Sequence, residues 1–352
     1  MRRILAFDAI RWIMAIVIVM YHIFVNFYNN VPSMRYLSGG YLAVEGFFII
    51  SVFLMMKSFF SYKQKYINDS SYQQLKIFVL SRIKRLYPEF LFVFIITVII
   101  RYLLHQSTPW HLWMPNLLMM GNFCGIQGIV RDVWFISALF WLSIFLFGMM
   151  LFYDKKFYLF YLPIIILLCY FFLIDVSKVL TIHSAPIYFN IISGGVIRAF
   201  LGLGIGIISY LCKDYINYFS NKFIFFIELL CILYSIYIIC HGNIQFEVFN
   251  FYIYFSIITI ILYNKRETIL RILSWKRLEK ISASSYMLFL SHLLIIENLS
   301  RYFKNQILQY NPMMVLLIIT TISVITAYIL YIIFIHISKK IKPYLVDFIF
   351  KD

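Results

Sequence analysis

Three ionisable side chains occupy the first hydrophobic stretch of the chain. Asp8, Arg11 and His22 lie in the sequence DAIRWIMAIVIVMYH. Burying such groups in an apolar segment is costly, so they indicate a functional site. Because a helical residue turns about 100° and rises about 1.5 Å, Arg11 and His22 share one helical face, about 16 Å apart, with Asp8 near it. The alternatives are a juxtamembrane Asp8–Arg11 ion pair, with Arg11 reaching the interface, and a structural His22 hydrogen-bonded to a neighbouring helix.

A carboxylate follows in the next apolar stretch, GGYLAVEGFFIISVFLM, at residues 39–55. Glu45 enters this stretch a few residues from its end, which predicts a depth similar to that of His22. A carboxylate beside a histidine orients the ring and increases its basicity. We therefore expect Glu45 to orient His22, unless it lies at the membrane interface. Ser51 comes two turns later in the same stretch.

Two arginines precede the third apolar stretch, in FVLSRIKRLYPEF at residues 78–90. Arg82 and Arg85 are three positions apart and so share a helical face. Paired guanidinium groups suit a phosphate ligand, and the alternative is a basic anchor beside the membrane. Pro88 is expected in the first turn of the next helix, where the missing N–H is tolerated.

Three further stretches carry candidate residues with supporting roles. LEKISASSYMLFLSH, at 278–292, includes Tyr286 and ends at His292, near mid-membrane. His292 is either a site residue or a polar contact between helices. VWFISALFW, at 133–141, carries Trp134 and Ser137, and the glycine-rich GGVIRAFLGLGIG, at 194–206, carries Arg198. The glycines predict close packing between helices.

The elements that must position these residues are membrane spans. The 352 residues are 63% hydrophobic and only 13% charged, about half the charge of a soluble domain. The predicted fold is all-α, a polytopic bundle of about ten transmembrane helices. The segment 112–124 is too short to span and is expected to be interfacial or re-entrant. The predicted spans are 10–28, 41–61, 86–104, 133–152, 157–174, 195–211, 223–241, 247–263, 283–300 and 312–335.

Basic residues are distributed unevenly over the connecting segments. With the N-terminus in the cytoplasm, the inner segments hold 23 Lys and Arg and the outer segments 7. This asymmetry predicts that both termini are cytoplasmic. The net charge of +16 is then explained by orientation and by contact with the anionic lipid bilayer, and we expect no nucleic acid partner. Residues 1–340 form the predicted transmembrane domain and 341–352 a short cytoplasmic tail. The five cysteines lack metal-site spacing, so no metal is expected.

Together, these stretches resemble the acyltransferase-3 family of integral-membrane acyltransferases, in the family's order from about residue 5 to 340. Its motifs are an acid–x–x–Arg start with Arg–x10–His, G-V-(D/E)-x-F-F-x-x-S-G, R-x-x-R-x-x-P, W-x-(L/I)-S, a glycine-rich segment with arginine, and S-Y-x-x-Y-L-x-H. They are matched here by Asp8, Arg11 and His22; Glu45 and Ser51; Arg82, Arg85 and Pro88; Trp134 and Ser137; Arg198; and Ser285, Tyr286 and His292. The chain departs from them at Val52 for glycine, at Ala138–Leu139 for a glutamate, and at Phe289 for the second tyrosine.

The resemblance implies transfer of an acetyl or other short acyl group from cytoplasmic acetyl-CoA to a hydroxyl of an envelope glycan or lipid-linked glycan, in a bacterial cell membrane. Arg82, Arg85 and Arg11 would bind the phosphate-bearing end of the coenzyme. His22 would act as general base, or would carry the acyl group itself. The competing interpretation is a proton-coupled transporter or flippase, with the buried ionisable groups as a proton relay. The sequence leaves open whether the protein forms a homo-oligomer.

Overall fold

The protein is a bundle of long helices. The computed structural model describes residues 4–28, 37–66, 68–121, 128–130, 133–177, 186–188, 192–242, 247–266, 269–274 and 276–349. The α-helices are α1 Leu5–Ile23, α2 Ala43–Lys65, α3 Ser71–Leu103, α4 Trp113–Leu117, α5 Trp134–Lys156, α6 Leu162–Ser177, α7 Gly194–Leu211, α8 Asn221–His241, α9 Glu247–Tyr263, α10 Arg277–Ser282, α11 Ser285–Ile307 and α12 Pro312–Ile349.

Shorter elements complete the chain between these helices. Two π-helical turns extend α1 and precede α6, and two short strands form an antiparallel pair before α7. The π-helices are Phe24–Tyr28 and Phe157–Tyr161; the 3-10 helices are Gly40–Leu42, Trp110–Leu112, Lys213–Tyr218 and Leu270–Ser274; the strands are β1 Pro186–Tyr188 and β2 Ile192–Ser193.

The predicted all-α membrane bundle is confirmed. Seven helical segments among the described residues are long and apolar enough to cross a bilayer. One of them, Trp134–Ile174, has 41 residues, about twice what a 30 Å hydrocarbon core requires. Asp154, with φ 49° and ψ −134°, interrupts it, so this segment supplies both α5 and α6. With the shorter α9 and the more polar α11, the long helices coincide with the ten predicted spans.

The third helix differs from the sequence prediction. We expected a helix to start near Pro88, whereas α3 begins at Ser71 and contains Pro88. A capping box starts it: the Ser70 hydroxyl accepts from the Gln73 backbone N–H at 3.3 Å, and the Gln73 side chain accepts from the Ser70 N–H at 3.0 Å. These bonds satisfy N–H groups that a helix start leaves without partners. Arg82 and Arg85 therefore lie within a continuous helix.

The centre of the bundle is the contact between α2 and α7. A Cβ atom built on Gly202 would lie 2.9 Å from the Cβ of Phe48, and one on Gly206 would lie 2.8 Å from the carbonyl oxygen of Ile49. Because both positions lack a side chain, the two helices approach closely. The predicted close packing by these glycines is confirmed, and it holds α2 among the other helices.

The periphery of the bundle is apolar. On α12, Leu317, Ile325 and Ile329 are each more than half exposed, as expected for a face that meets lipid rather than water. The helix continues to Ile349, into the predicted tail 341–352, of which 350–352 lie outside the described residues. In the predicted interfacial segment 112–124, α4 has five residues, too few to span a bilayer; residues 122–127 lie outside the described residues.

Candidate functional site

One large cavity opens between α1, α2, α3, α5 and α11. Its volume is about 490 Å³, in the range of small-molecule sites. Half of the site residues predicted from the sequence line it. These six are Asp8, Arg11, Ser51, Arg82, Arg85 and Tyr286.

Charged side chains gather where α1 begins. Arg11 pairs with Asp8 at 3.5 Å, which confirms that the two share a face. Arg82 is buried, and its guanidinium carbon lies 4.9 Å from the centre of the Phe78 ring. Arg85, one turn later and exposed, lines the same cavity. The expected shared face of Arg82 and Arg85 is therefore confirmed. Two arginines facing one cavity favour a multivalent anion such as a phosphate.

Helix α11 is joined to α3 beside this cavity. The Tyr286 hydroxyl donates to the carbonyl oxygen of Leu86 at 3.1 Å. Glu89 lines the cavity one turn further along α3. It lies inside a predicted span, so the rule that flagged Asp8 and Glu45 could also have found it.

Three phenylalanines line the opposite end of the cavity. Phe47, Phe135 and Phe289 come from α2, α5 and α11. Their ring centres are 5.6 Å apart for Phe47–Phe135, 5.9 Å for Phe47–Phe289 and 5.1 Å for Phe135–Phe289. These distances are typical of packed aromatic rings. Motif spacing did not identify these three residues as a group, because they meet only in the folded bundle.

The two predicted histidines meet beyond these rings. The ring centres of His22 and His292 are 5.2 Å apart, although 270 positions separate the residues. His292 Nδ1 lies 2.8 Å from the carbonyl oxygen of Phe289 and 3.2 Å from that of Leu288. Because a carbonyl oxygen only accepts, Nδ1 carries a hydrogen and donates it to the backbone of the same helix. Neither histidine is among the residues that line the cavity.

Glu45 has other partners than the one the sequence suggested. Its Oε1 accepts from Arg198 Nε at 2.8 Å and from Arg198 Nη2 at 2.5 Å, and its Oε2 accepts from the Tyr252 hydroxyl at 2.7 Å. The prediction that Glu45 orients the His22 ring is therefore wrong. A fully buried carboxylate requires a cation and hydrogen-bond donors, and Arg198 and Tyr252 provide them. Tyr252 stands in an apolar span without a motif, so the sequence contained no signal for it.

Trp134 and Ser137 support this region from the start of α5. The Arg198 guanidinium carbon lies 4.9 Å from the centre of the Trp134 ring and 5.7 Å from that of Tyr41, distances at which a cation is attracted to an aromatic face. The Ser137 hydroxyl donates to the carbonyl oxygen of Gly121 at 3.0 Å. Trp134 thus contacts the Arg198 side chain and Ser137 contacts the backbone of Gly121, and neither residue lines the cavity.

A second, much smaller cavity lies at the other end of α3 and α11. Its volume is about 20 Å³, close to that of a single water. The Gln106 side chain donates to the Asn298 side chain at 3.2 Å beside it. The polar side chains that line it are Thr97, Arg101, Gln106, Glu297, Asn298 and Arg301.

Comparison with known proteins identifies the family. The family model of the acyltransferase domain, acyltransferase 3, matches residues 4–332. No curated protein and no solved structure matches the chain significantly. The matched range includes every helix that lines the large cavity and both histidines. The chain therefore belongs to the acyltransferase-3 family and is a multi-pass membrane acyltransferase.

Proposed function

We propose that this protein transfers an acetyl or other short acyl group from cytoplasmic acyl-CoA to a hydroxyl of a cell-surface glycan. One observation carries the proposal: a single cavity has arginines at one end and approaches, at the other, the pair formed by the half-buried His22 and the buried His292. An acyl-CoA has the matching polarity, because its phosphates and its thioester lie at opposite ends of a long arm.

In this proposal, the arginines bind the acyl donor. Arg82 and Arg85 bind the coenzyme phosphates, and Arg11 contributes a third positive charge while Asp8 holds its side chain. Arg82 is largely removed from water, which strengthens its attraction for an anion. The helical rise from Arg11 to His22, about 16 Å, matches the length of an extended pantetheine arm in order of magnitude.

In this proposal, His22 is the general base of the acyl transfer. An imidazole nitrogen of His22 takes the proton of the acceptor hydroxyl while that oxygen attacks the thioester carbonyl. The carbon–sulfur bond breaks, and the coenzyme thiolate receives the proton from the imidazolium. In this proposal the ring of His292, 5.2 Å away centre to centre, packs against the His22 ring and positions it. Glu45, through Arg198, stabilises the helices that bring these residues together. A covalent acyl-His22 intermediate is the competing chemistry, and trapping a labelled acyl-enzyme that His22→Ala abolishes would favour it.

The acceptor approaches from the other end of the bundle in this proposal. The polar cluster of Arg101, Glu297 and Arg301 lies there, beside the second cavity, and offers charged groups to a glycan. With the excess of basic residues on the opposite side, the N-terminus is cytoplasmic and this cluster faces outward in a bacterial cell membrane.

Radiolabelled acetyl transfer in membranes containing the full chain tests the catalytic assignment. His22→Ala should lose label incorporation into envelope glycan, because no base remains. His336→Ala removes an exposed histidine of α12, outside the residues that line the cavity, and serves as the matched control. Full acetylation by His22→Ala would refute the assignment.

Acetyl-CoA binding tests the donor site separately. Arg82→Ala with Arg85→Ala should weaken acetyl-CoA binding at least about tenfold, since each charge-assisted hydrogen bond contributes roughly 1.5–3 kcal/mol. Lys84→Ala removes a positive charge from the same turn of α3 at a position that does not line the cavity. Equal affinities in the Lys84 and arginine variants would contradict the proposed phosphate contact.

A further inference from the structure

The lining of the large cavity changes from charged to aromatic along the bundle. On α2 its lining runs from Tyr62 to Phe47, and the helical rise between these two residues, fifteen positions apart, is about 22 Å. On α11 the lining ends at Phe289, and on α5 it includes Phe135. The end furthest from the arginines is therefore formed by Phe47, Phe135 and Phe289, which we call the aromatic end.

The aromatic end is closed by mutual ring packing. Each of the three rings lies within 6 Å of the other two, centre to centre, and each residue is at most 7% exposed. The side chains come from three different helices and carry no polar atoms. A hydrocarbon group is the ligand that such a surface accepts at low desolvation cost.

The aromatic end separates the donor cavity from the histidine pair. The ring centre of Phe289 is 5.9 Å from that of His292, which in turn lies 5.2 Å from that of His22. Phe289 and His292 are one helical turn apart on α11, so the same stretch of backbone carries both. An acyl group that enters from the cavity contacts the phenylalanine rings before it contacts an imidazole.

We propose that Phe47, Phe135 and Phe289 form the acyl-binding pocket, and that Phe289 sets the length of the acyl chain that the protein transfers. This inference rests on the proposed acyl-CoA donor. Phe289 has this role because its ring lines the cavity and also contacts the ring of His292. Removing the ring lengthens the pocket at the point where the acyl chain would otherwise stop.

The test compares two radiolabelled donors in membranes that contain the full chain. Acetyl-CoA and hexanoyl-CoA are supplied below saturation, and label incorporated into envelope material is measured. Phe289→Ala should raise the hexanoyl-to-acetyl rate ratio at least about tenfold, since one methylene in an apolar pocket changes specificity about 10- to 200-fold. Phe289→Leu is a smaller change that should raise the ratio in the same direction if the alanine variant fails to fold.

Two matched control variants show whether a change in the hexanoyl-to-acetyl rate ratio comes from losing the Phe289 ring. Phe289→Tyr retains the ring and should leave the ratio close to that of the wild type. Phe140→Ala removes an equally buried ring from α5 that does not line the cavity, so it should lower stability without changing the ratio. An unchanged ratio in the folded Phe289→Leu or Phe289→Ala protein overturns the inference. If the wild-type protein transfers label from neither donor, the proposed function itself fails.

Discussion

Replacing Arg198 should destabilise the bundle more than most single substitutions, because the change isolates a buried charge. The Glu45 and Arg198 side chains are 0% and 2% exposed. In Arg198→Met the volume of the side chain is largely retained, while Glu45 Oε1 loses both of its donors. The remaining partner, Tyr252, donates to Oε2 and does not replace them.

The magnitude follows from the bonds that are lost. Two charge-assisted hydrogen bonds, at 2.8 Å and 2.5 Å, correspond to roughly 3–6 kcal/mol at about 1.5–3 kcal/mol each. Substitutions that break one partner of a buried ion pair cost about 3–5 kcal/mol, in agreement. The double variant Glu45→Gln with Arg198→Met removes both charges, so it should recover most of this loss. Tyr252→Phe should cost about 1.5–3 kcal/mol, because one bond to a charged acceptor is lost.

Reversible unfolding in mixed micelles, followed by intrinsic fluorescence, measures these free energies. The decisive comparison is the coupling between positions 45 and 198 in a double-mutant cycle. If Arg198→Met unfolds within about 0.5 kcal/mol of the wild type, a typical limit for neutral surface substitutions, the ion pair does not stabilise the bundle as argued. Additive effects of the two single variants would equally contradict the reasoning.

Two further predictions concern the helices that carry the site. Gly206→Ala should lower the free energy of unfolding by about 1–3 kcal/mol, because the added Cβ would contact Val52 on α2. The control is Gly148→Ala, whose added Cβ would have its nearest neighbour at 3.8 Å. It should be neutral or stabilising in the same unfolding assay. Ser70→Ala should cost about 1 kcal/mol and speed hydrogen exchange in the first turn of α3, including Gln73; unchanged exchange there would show that the capping box does not hold this turn.

Single-helix arguments predicted the candidate site best where all the residues share one helix. Asp8 with Arg11, and Arg82 with Arg85, line one cavity as their spacing indicates, because helical geometry alone sets which of them share a face. The start of α3 was missed because Pro88 suggested a helix start, whereas the capping box that begins eighteen residues earlier, at Ser70, decides it. Local hydrogen bonds at Ser70 outweigh the preference of proline for a first turn.

Predictions of contacts between residues on different helices were less successful, and Glu45 shows why. Depth along two neighbouring helices placed it beside His22, but depth does not specify the rotation of either helix. The buried carboxylate instead faces α7 and α9, where Arg198 and Tyr252 satisfy it. Glu228 illustrates the converse: it is buried in a span, yet it accepts backbone N–H bonds from Ile269 and Leu270 and lies outside the cavity lining.

The sequence by itself determined the class of protein, the long helices and the residues with the chemistry for a site. Apolar length and charge set these features, and both can be counted along the chain. Only the tertiary structure decided which of these residues meet. In the folded bundle the His22 ring packs against that of His292, and Glu45 forms an ion pair with Arg198. Three phenylalanines lie between the arginines and the histidines. The physical reason is that packing between helices, through close contacts such as that of Gly206 with α2, sets the rotation and register of each helix, and no pattern within a single helix specifies them.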